Sequence, residues 1–143
     1  MSFTIELAVR FQDVDAGGVL FFGRIYDYCH QAYEEFWGSE GIDRAHFFAG
    51  AEYLVPIAHS EADYRLPIRH GDRIQVRIDV ARVGRASFTL RYRVTGSDAC
   101  SNPSSDRRGM PSQSPWVRQA NAPTVTAVLR RVLRSCPATH SET

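Results

Sequence analysis

The sequence predicts an α+β domain in which a long helix is wrapped by a curved antiparallel sheet. Three observations predict it. Ile5, Leu7, Val9 and Phe11 alternate with Glu6, Ala8 and Arg10, and two later stretches, Arg73–Val83 and Ser87–Thr95, alternate in the same way. From about Arg24 the period changes, and apolar residues recur every three or four positions as far as Trp37. Period two puts apolar side chains on one face of a strand, and a period near 3.6 puts them on one stripe of a helix. One helix among several strands packs as an α+β layer.

Each element follows in chain order. The first strand runs into Asp13-Val14-Asp15-Ala16-Gly17-Gly18, a turn-rich stretch whose paired glycines permit backbone angles closed to other residues. Ile25, Tyr28, Cys29, Ala32, Phe36 and Trp37 then share one helical face, with Asp27, Gln31, Glu34 and Glu35 opposite. Gly38 and Gly41 suit the end of that helix. After the aromatic patch His46-Phe47-Phe48 come three strands. They are Tyr53–Tyr64, then Arg73–Val83 (Ile74, Val76, Ile78, Val80 inward), then Ser87–Thr95 (Phe88, Leu90, Tyr92, Val94 inward). His70-Gly71-Asp72 and Val83-Gly84-Arg85 read as turns.

Composition bounds the function. The chain has 143 residues, one domain's worth, with a net charge of +1 that gives no general reason to expect nucleic acid as a partner. No apolar run approaches a membrane span, and Met1-Ser2-Phe3-Thr4-Ile5-Glu6 lacks the basic and apolar regions of a signal peptide. Cys29, Cys100 and Cys136 show no CxxC and no metal-ligand spacing, which favours free thiols in a reducing cytoplasm. All 17 basic residues are arginine, so a lysine nucleophile or Schiff base is excluded. The averages hide a break near residue 98. Residues 1–98 hold 11 Arg against 14 acidic residues, whereas residues 99–143 hold 6 against 2 and, of all the aromatics, only Trp116. The expected division is therefore a folded domain at 1–97 and an Arg/Pro/Ser/Ala-rich tail at 98–143 that reads as disordered or frameshifted.

The chemistry concentrates at Asp13 and Asp15, two carboxylates in a glycine-rich connection that feeds a helix N-terminus. Free N–H groups and the helix dipole there favour developing negative charge, such as an acyl-transfer oxyanion. A carboxylate beside them could attack an acyl carbon or activate water. On spacing alone the simpler reading is a DxD turn whose aspartates bind local N–H groups. A metal at the pair lacks a nearby His partner and the EF-hand pattern. His30 and His59 read as structural, with no Ser-His-Asp order, and Cys29 as a small core residue. Arg65, Arg69, His70 and Arg73 cluster around a strand–turn–strand and could grip phosphates, or simply be a solvated turn.

Taken together, Arg10-Phe11-x-Asp13-x-Asp15-x-Gly17-Gly18-Val19-x-Phe21-Phe22 and Tyr28-Cys29-His30-Gln31-Ala32-Tyr33-Glu34-Glu35-Phe36 resemble the 4-hydroxybenzoyl-CoA thioesterase family of hotdog-fold proteins. Leu54-Val55-Pro56-Ile57, Ala62-Asp63-Tyr64-Arg65-x-Pro67 and Gly71-Asp72 extend the likeness over roughly residues 3–96. The Cys-His-x-Ala-Tyr-Glu segment is similar to the branch that cleaves 1,4-dihydroxy-2-naphthoyl-CoA, and the same features fit enzymes of benzoyl-type CoA thioesters. The resemblance implies a hotdog fold, an acyl-CoA substrate, no metal or organic cofactor, and homodimers or dimers of dimers with sites at the subunit interface. It places the catalytic carboxylate at Asp15 and the oxyanion donor at the backbone N–H of Phe22, where some members carry His and others Tyr. Gly17, Gly18, Val19, Arg65 and Arg69 are the expected substrate-binding residues. A non-catalytic acyl-CoA-binding protein is the alternative. A hydratase is disfavoured because Leu20 stands where an Asp-x4-His pair would need histidine.

The tail departs from the family pattern. A fifth strand should follow residue 95 after a short hairpin, and Ser97-Asp98-Ala99-Cys100-Ser101-Asn102-Pro103 offers none. The C-terminal strand is thus expected to be atypical or missing. Thr124–Leu133 leans towards a helix, with Val125, Val128, Leu129 and Val132 on one face.

Overall fold

The computed structural model describes residues 2–43, 45, 55–65, 67–96 and 116–120. In chain order they give β1 (Ser2–Ala8), α1 (Ile25–Ser39), β2 (Ile57–Glu61), β3 (Arg73–Val83), β4 (Ser87–Gly96) and β5 (Trp116–Ala120), with short 3-10 turns at Phe11–Asp13 and Phe22–Arg24. The strands form one antiparallel sheet in the order β1-β3-β4-β5-β2.

Helix and sheet meet along an apolar seam. The α1 face buries Ile25, Tyr28, Cys29, Ala32, Phe36 and Trp37, as the spacing predicts, and adds Tyr33. Ile74, Val76 and Ile78 of β3 and Phe88, Leu90, Tyr92 and Val94 of β4 are buried at alternate positions. Burying each large side chain of this set contributes on the order of 2 kcal/mol. Phe3 of β1 meets Phe36 edge-on, with ring centroids 5.9 Å apart, and closes the seam at one end.

The helix ends where its hydrogen bonds turn back. Gly41 takes a φ of 76°, its N–H donates to Gly38 O at 3.1 Å, and the Ile42 N–H donates to Trp37 O at 3.1 Å. That is a Schellman stop, with the left-handed residue at glycine. Gly38 itself lies inside the last turn.

Three sequence expectations change. The first strand stops at Ala8, and Phe11 is 77% exposed in a 3-10 turn. The cause is local: the Arg10 N–H donates to the Tyr28 hydroxyl at 3.0 Å and Asp13 N–H to Arg10 O at 3.1 Å, so the backbone leaves the ladder. The strand expected over Tyr53–Tyr64 is ordered as a strand only over Ile57–Glu61, because it pairs with β5 alone and β5 is five residues long. Its expected start, with the Phe47-Phe48 patch, lies outside the described residues. The C-terminal strand, expected to be atypical or missing, is present and atypical: β5 is five residues long and does not follow β4 through a short hairpin. It pairs with β4 from Ser87↔Ala120 to Arg91↔Trp116 and with β2 from Ile57↔Gln119 to Glu61↔Trp116. A short segment suffices because both of its edges satisfy backbone groups that would otherwise stand open. The segment Thr124–Leu133 lies outside the described residues. Among the described residues no helix is long and apolar enough to cross a membrane.

Candidate active site

The connection between β1 and α1 folds as a small closed loop. Val14 bridges Leu20, the Asp15 N–H donates to Val19 O at 2.8 Å, and the Gly18 N–H donates to Asp15 O at 2.9 Å. Gly18 makes the turn with a φ of 74°. The Asp15 carboxylate folds over this loop: its Oδ1 accepts the N–H of Gly17 at 2.8 Å and of Val19 at 3.3 Å. A Cβ on residue 17 would lie 3.1 Å from that oxygen, so glycine makes room for the carboxylate. Oδ2 makes no hydrogen bond among the described residues, and the side chain is exposed.

Asp13 lives differently. It is 1% exposed, and its Oδ2 accepts the Tyr28 hydroxyl at 2.6 Å and Arg10 Nε at 2.8 Å, while Arg24 Nε stands 3.9 Å from Oδ1. Burial raises the carboxyl's pKa, but the bonds from Tyr28 and Arg10 and the charges of Arg10 and Arg24 outweigh it and hold the group below the ordinary carboxylate range. Burial first, then donation to Asp13, pushes the Tyr28 hydroxyl up, so it remains a donor.

The loop delivers the chain to the helix start. Asp13 O accepts the Phe21 N–H at 2.9 Å, and Arg24 N–H donates to Phe21 O at 2.8 Å as the 3-10 turn begins. Within that turn the N–H groups of Phe22 and Gly23 make no hydrogen bond among the described residues. A cavity of about 330 Å³ opens beside the turn, with Val19, Leu20, Phe22 and Ile25 on one wall and Tyr64, Arg65, Pro67 and Ile68 on the other. The second wall is tied to the first by Leu20 N–H to Ile68 O at 2.7 Å, by a Val19–Arg69 bridge, and by the Tyr64 hydroxyl donating to Phe22 O at 2.5 Å.

The residues singled out by sequence fall into groups. Val19, Phe22 and Arg65 line the cavity. Asp15, Gly17 and Gly18 form the loop beside Val19 without lining it, and Arg69 spends its backbone N–H on the Asp72 carboxylate at 2.8 Å. Arg73 pairs with Glu6 through Nε at 2.6 Å, and His70 meets the Phe11 ring edge-on at 5.6 Å. His30 pairs with Glu34 at 3.1 Å on the helix and His59 with Glu61 at 3.4 Å. Cys29 is a buried free thiol whose pKa burial pushes far up, which makes it inert. Two hydroxyls that tie the loop and turn together were not legible in the sequence, those of Tyr28 and Tyr64. A tyrosine in place of phenylalanine on an apolar stripe was the available signal for Tyr28.

Residues 9–105 match the family model described as the Thioesterase-like superfamily. The chain belongs to that superfamily. Within it, the chain is 37% identical over 95 residues to a 1,4-dihydroxy-2-naphthoyl-CoA hydrolase of Nostoc punctiforme, covering 66% of this chain and 64% of the relative. The chain thus spans a little under two thirds of the length of that relative. A 1,4-dihydroxy-2-naphthoyl-CoA thioesterase from Synechocystis superposes with a TM-score of 0.71 at 22% identity, over 84% of this chain and 81% of that one. The 4-hydroxybenzoyl CoA thioesterase of Pseudomonas superposes with a TM-score of 0.69 at 16% identity, over 83% of each chain. At these identities the superpositions speak for the fold, and this superfamily member has the hotdog arrangement, α1 wrapped by an antiparallel sheet.

Proposed function

We propose that this chain hydrolyses an acyl-CoA thioester with an aromatic acyl group, of hydroxybenzoyl or dihydroxynaphthoyl type, to the free acid and CoA. Superfamily membership and relatives bearing that activity in their names support the reaction class. The observation that carries the site assignment is the separation of the two aspartates: Asp13 is buried among Tyr28, Arg10 and Arg24, while Asp15 keeps Oδ2 open beside the cavity loop. An apolar cavity near the lower end of ligand-pocket volumes suits a flat ring system.

The proposed chemistry needs a positioned carboxylate and oxyanion donors. A thioester carbonyl is already a good electrophile, so no metal or organic cofactor enters. Asp15 acts as nucleophile or as general base. As a base, it takes a proton from water while the water oxygen bonds to the acyl carbon and the carbonyl electron pair moves onto oxygen. The Phe22 N–H donates to that oxyanion through the backbone alone, since the phenylalanine side chain supplies no polar group. The carbon–sulfur bond then breaks, and the CoA thiolate leaves with the proton that Asp15 returns. If Asp15 attacks directly, an acyl-aspartyl anhydride forms as the thiolate departs, and water hydrolyses it. Gly17, Gly18 and Val19 shape the entrance, and Arg65 and Arg69 meet the anionic CoA portion.

The same reading covers the rest of the molecule. The catalytic unit is residues 1–97 with β5 contributed from the segment 98–143, and it works in the cytoplasm as a homodimer or dimer of dimers. The testing experiment is thiol release from a panel of benzoyl-, 4-hydroxybenzoyl-, 1,4-dihydroxy-2-naphthoyl- and acetyl-CoA. Turnover favouring the aromatic substrates by at least about tenfold in kcat/KM is expected. Tight binding of the panel without thiol release would select a non-catalytic acyl-CoA-binding protein instead.

A further inference from the structure

We propose that Tyr64 is a positioning residue for the oxyanion-binding turn, an inference that rests on the thioesterase reading above. Tyr64 is far from the turn in sequence, yet its hydroxyl donates to Phe22 O at 2.5 Å, at the short end for an O–H to carbonyl bond. Phe22 opens the 3-10 turn, and the N–H groups of Phe22 and Gly23 are the unengaged donors there. Gripping the Phe22 carbonyl fixes the plane of the peptide that carries the Gly23 N–H, and it restrains the Phe22 N–H across one Cα. A carbonyl that accepts a hydrogen bond also polarises its own peptide, which strengthens the N–H on the other side.

The grip belongs to a larger cradle. Ile68, on the same segment as Tyr64, accepts the Leu20 N–H at 2.7 Å, so the loop is held on both sides of Phe21. The Tyr64 ring is at the same time a wall of the cavity. One residue therefore bounds the acyl group and steadies the turn whose Phe22 N–H is the proposed oxyanion donor. The ring is 48% exposed, so its share in core stability is small, and the hydroxyl is the part whose loss should be felt in catalysis. Burial pushes that hydroxyl's pKa up, which keeps it a donor through the working pH range.

The test compares the full-length wild type with Tyr64→Phe and Tyr64→Ala. Thiol-release kinetics, thermal melting and amide hydrogen exchange across residues 22–24 are measured on each. Tyr64→Phe keeps the wall and loses the grip: kcat should fall about tenfold with KM within about twofold of wild type. Its melting temperature should stay unchanged, while exchange at Arg24, whose N–H is bonded to Phe21 O within that turn, speeds up about fivefold, the equivalent of one net hydrogen bond. Tyr64→Ala removes the wall as well, so KM should rise in addition. Wild-type kcat and wild-type exchange in Tyr64→Phe would overturn the proposal. So would a kcat loss no larger than the loss of folded protein. A wild-type chain that releases no thiol from any substrate refutes the thioesterase reading alone, and the exchange rates then decide for or against the grip.

Discussion

Asp13 and Asp15 belong to one loop, yet the inner side of that loop and its outer rim are different environments. Inside, the Asp13 side chain is 1% exposed and is shared by Tyr28, Arg10 and, at 3.9 Å, Arg24. On the rim, Asp15 is exposed, tethered through one oxygen by the N–H groups of Gly17 and Val19. Residues i and i+2 of a regular strand share a face. Here the 3-10 turn at Phe11–Asp13 rotates the first carboxylate inward before Val14 returns to extended backbone, so the pair is split. Parity in a DxD motif is thus set by the turn preceding it. The inner carboxylate is used up in holding the loop to α1, and the outer one keeps one oxygen without a hydrogen bond among the described residues.

The contrast can be broken from either side. The largest effect is expected at the rim: Asp15→Asn should cost at least ~100-fold in turnover, the low end for losing a general base. Asp13→Asn comes next and acts on stability. It leaves the Tyr28 hydroxyl and the arginines with a poorer acceptor, at a cost of about 1–3 kcal/mol read as a lower melting temperature. The cost stays low because Arg10 is half-exposed and regains water. A pH series sharpens the same point. The folded-state pKa of Asp13 lies below its unfolded value, so its share of stability is present above about pH 4 and is lost as pH falls through the folded value. The stability gap between wild type and Asp13→Asn should therefore narrow in acid, as urea titrations at several pH values would show. Tyr28→Phe removes a single hydroxyl and should cost about 1 kcal/mol by the same measurement. Gly18→Ala meets open space, so it should cost only the strain of a φ of 74°, about 1 kcal/mol.

Periodicity made the sheet–helix seam readable. Every helix residue predicted to be buried is buried, because a stripe at 3.6 spacing has only one way to face a sheet. The alternation in β3 and β4 was equally plain, since both strands are long and covered on one side by α1. β5 was not readable. Trp116-Val117-Arg118-Gln119-Ala120 is too short for a firm pattern and sits among prolines and serines. Its strand state comes from the two edges it joins, a tertiary cause outside its own residues. In the candidate site, Asp15, Val19 and Phe22 were named because motif resemblance places them. The Tyr28–Asp13 and Tyr64–Phe22 bonds join residues far apart in sequence, and no local signal encodes which hydroxyl will reach which oxygen.

The division of labour between the two aspartates is tested most directly by measuring kcat and melting temperature on Asp13→Asn and Asp15→Asn side by side, with turnover expressed per folded molecule. Asp15→Asn is expected to melt within about 2 °C of wild type and to have lost at least ~100-fold in kcat with CoA-thioester binding largely retained. Asp13→Asn is expected to melt lower and to keep most of its turnover well below the transition. Near-wild-type turnover in Asp15→Asn, together with an inactive but fully folded Asp13→Asn, would show that the chemistry belongs to the inner carboxylate and contradict the assignment.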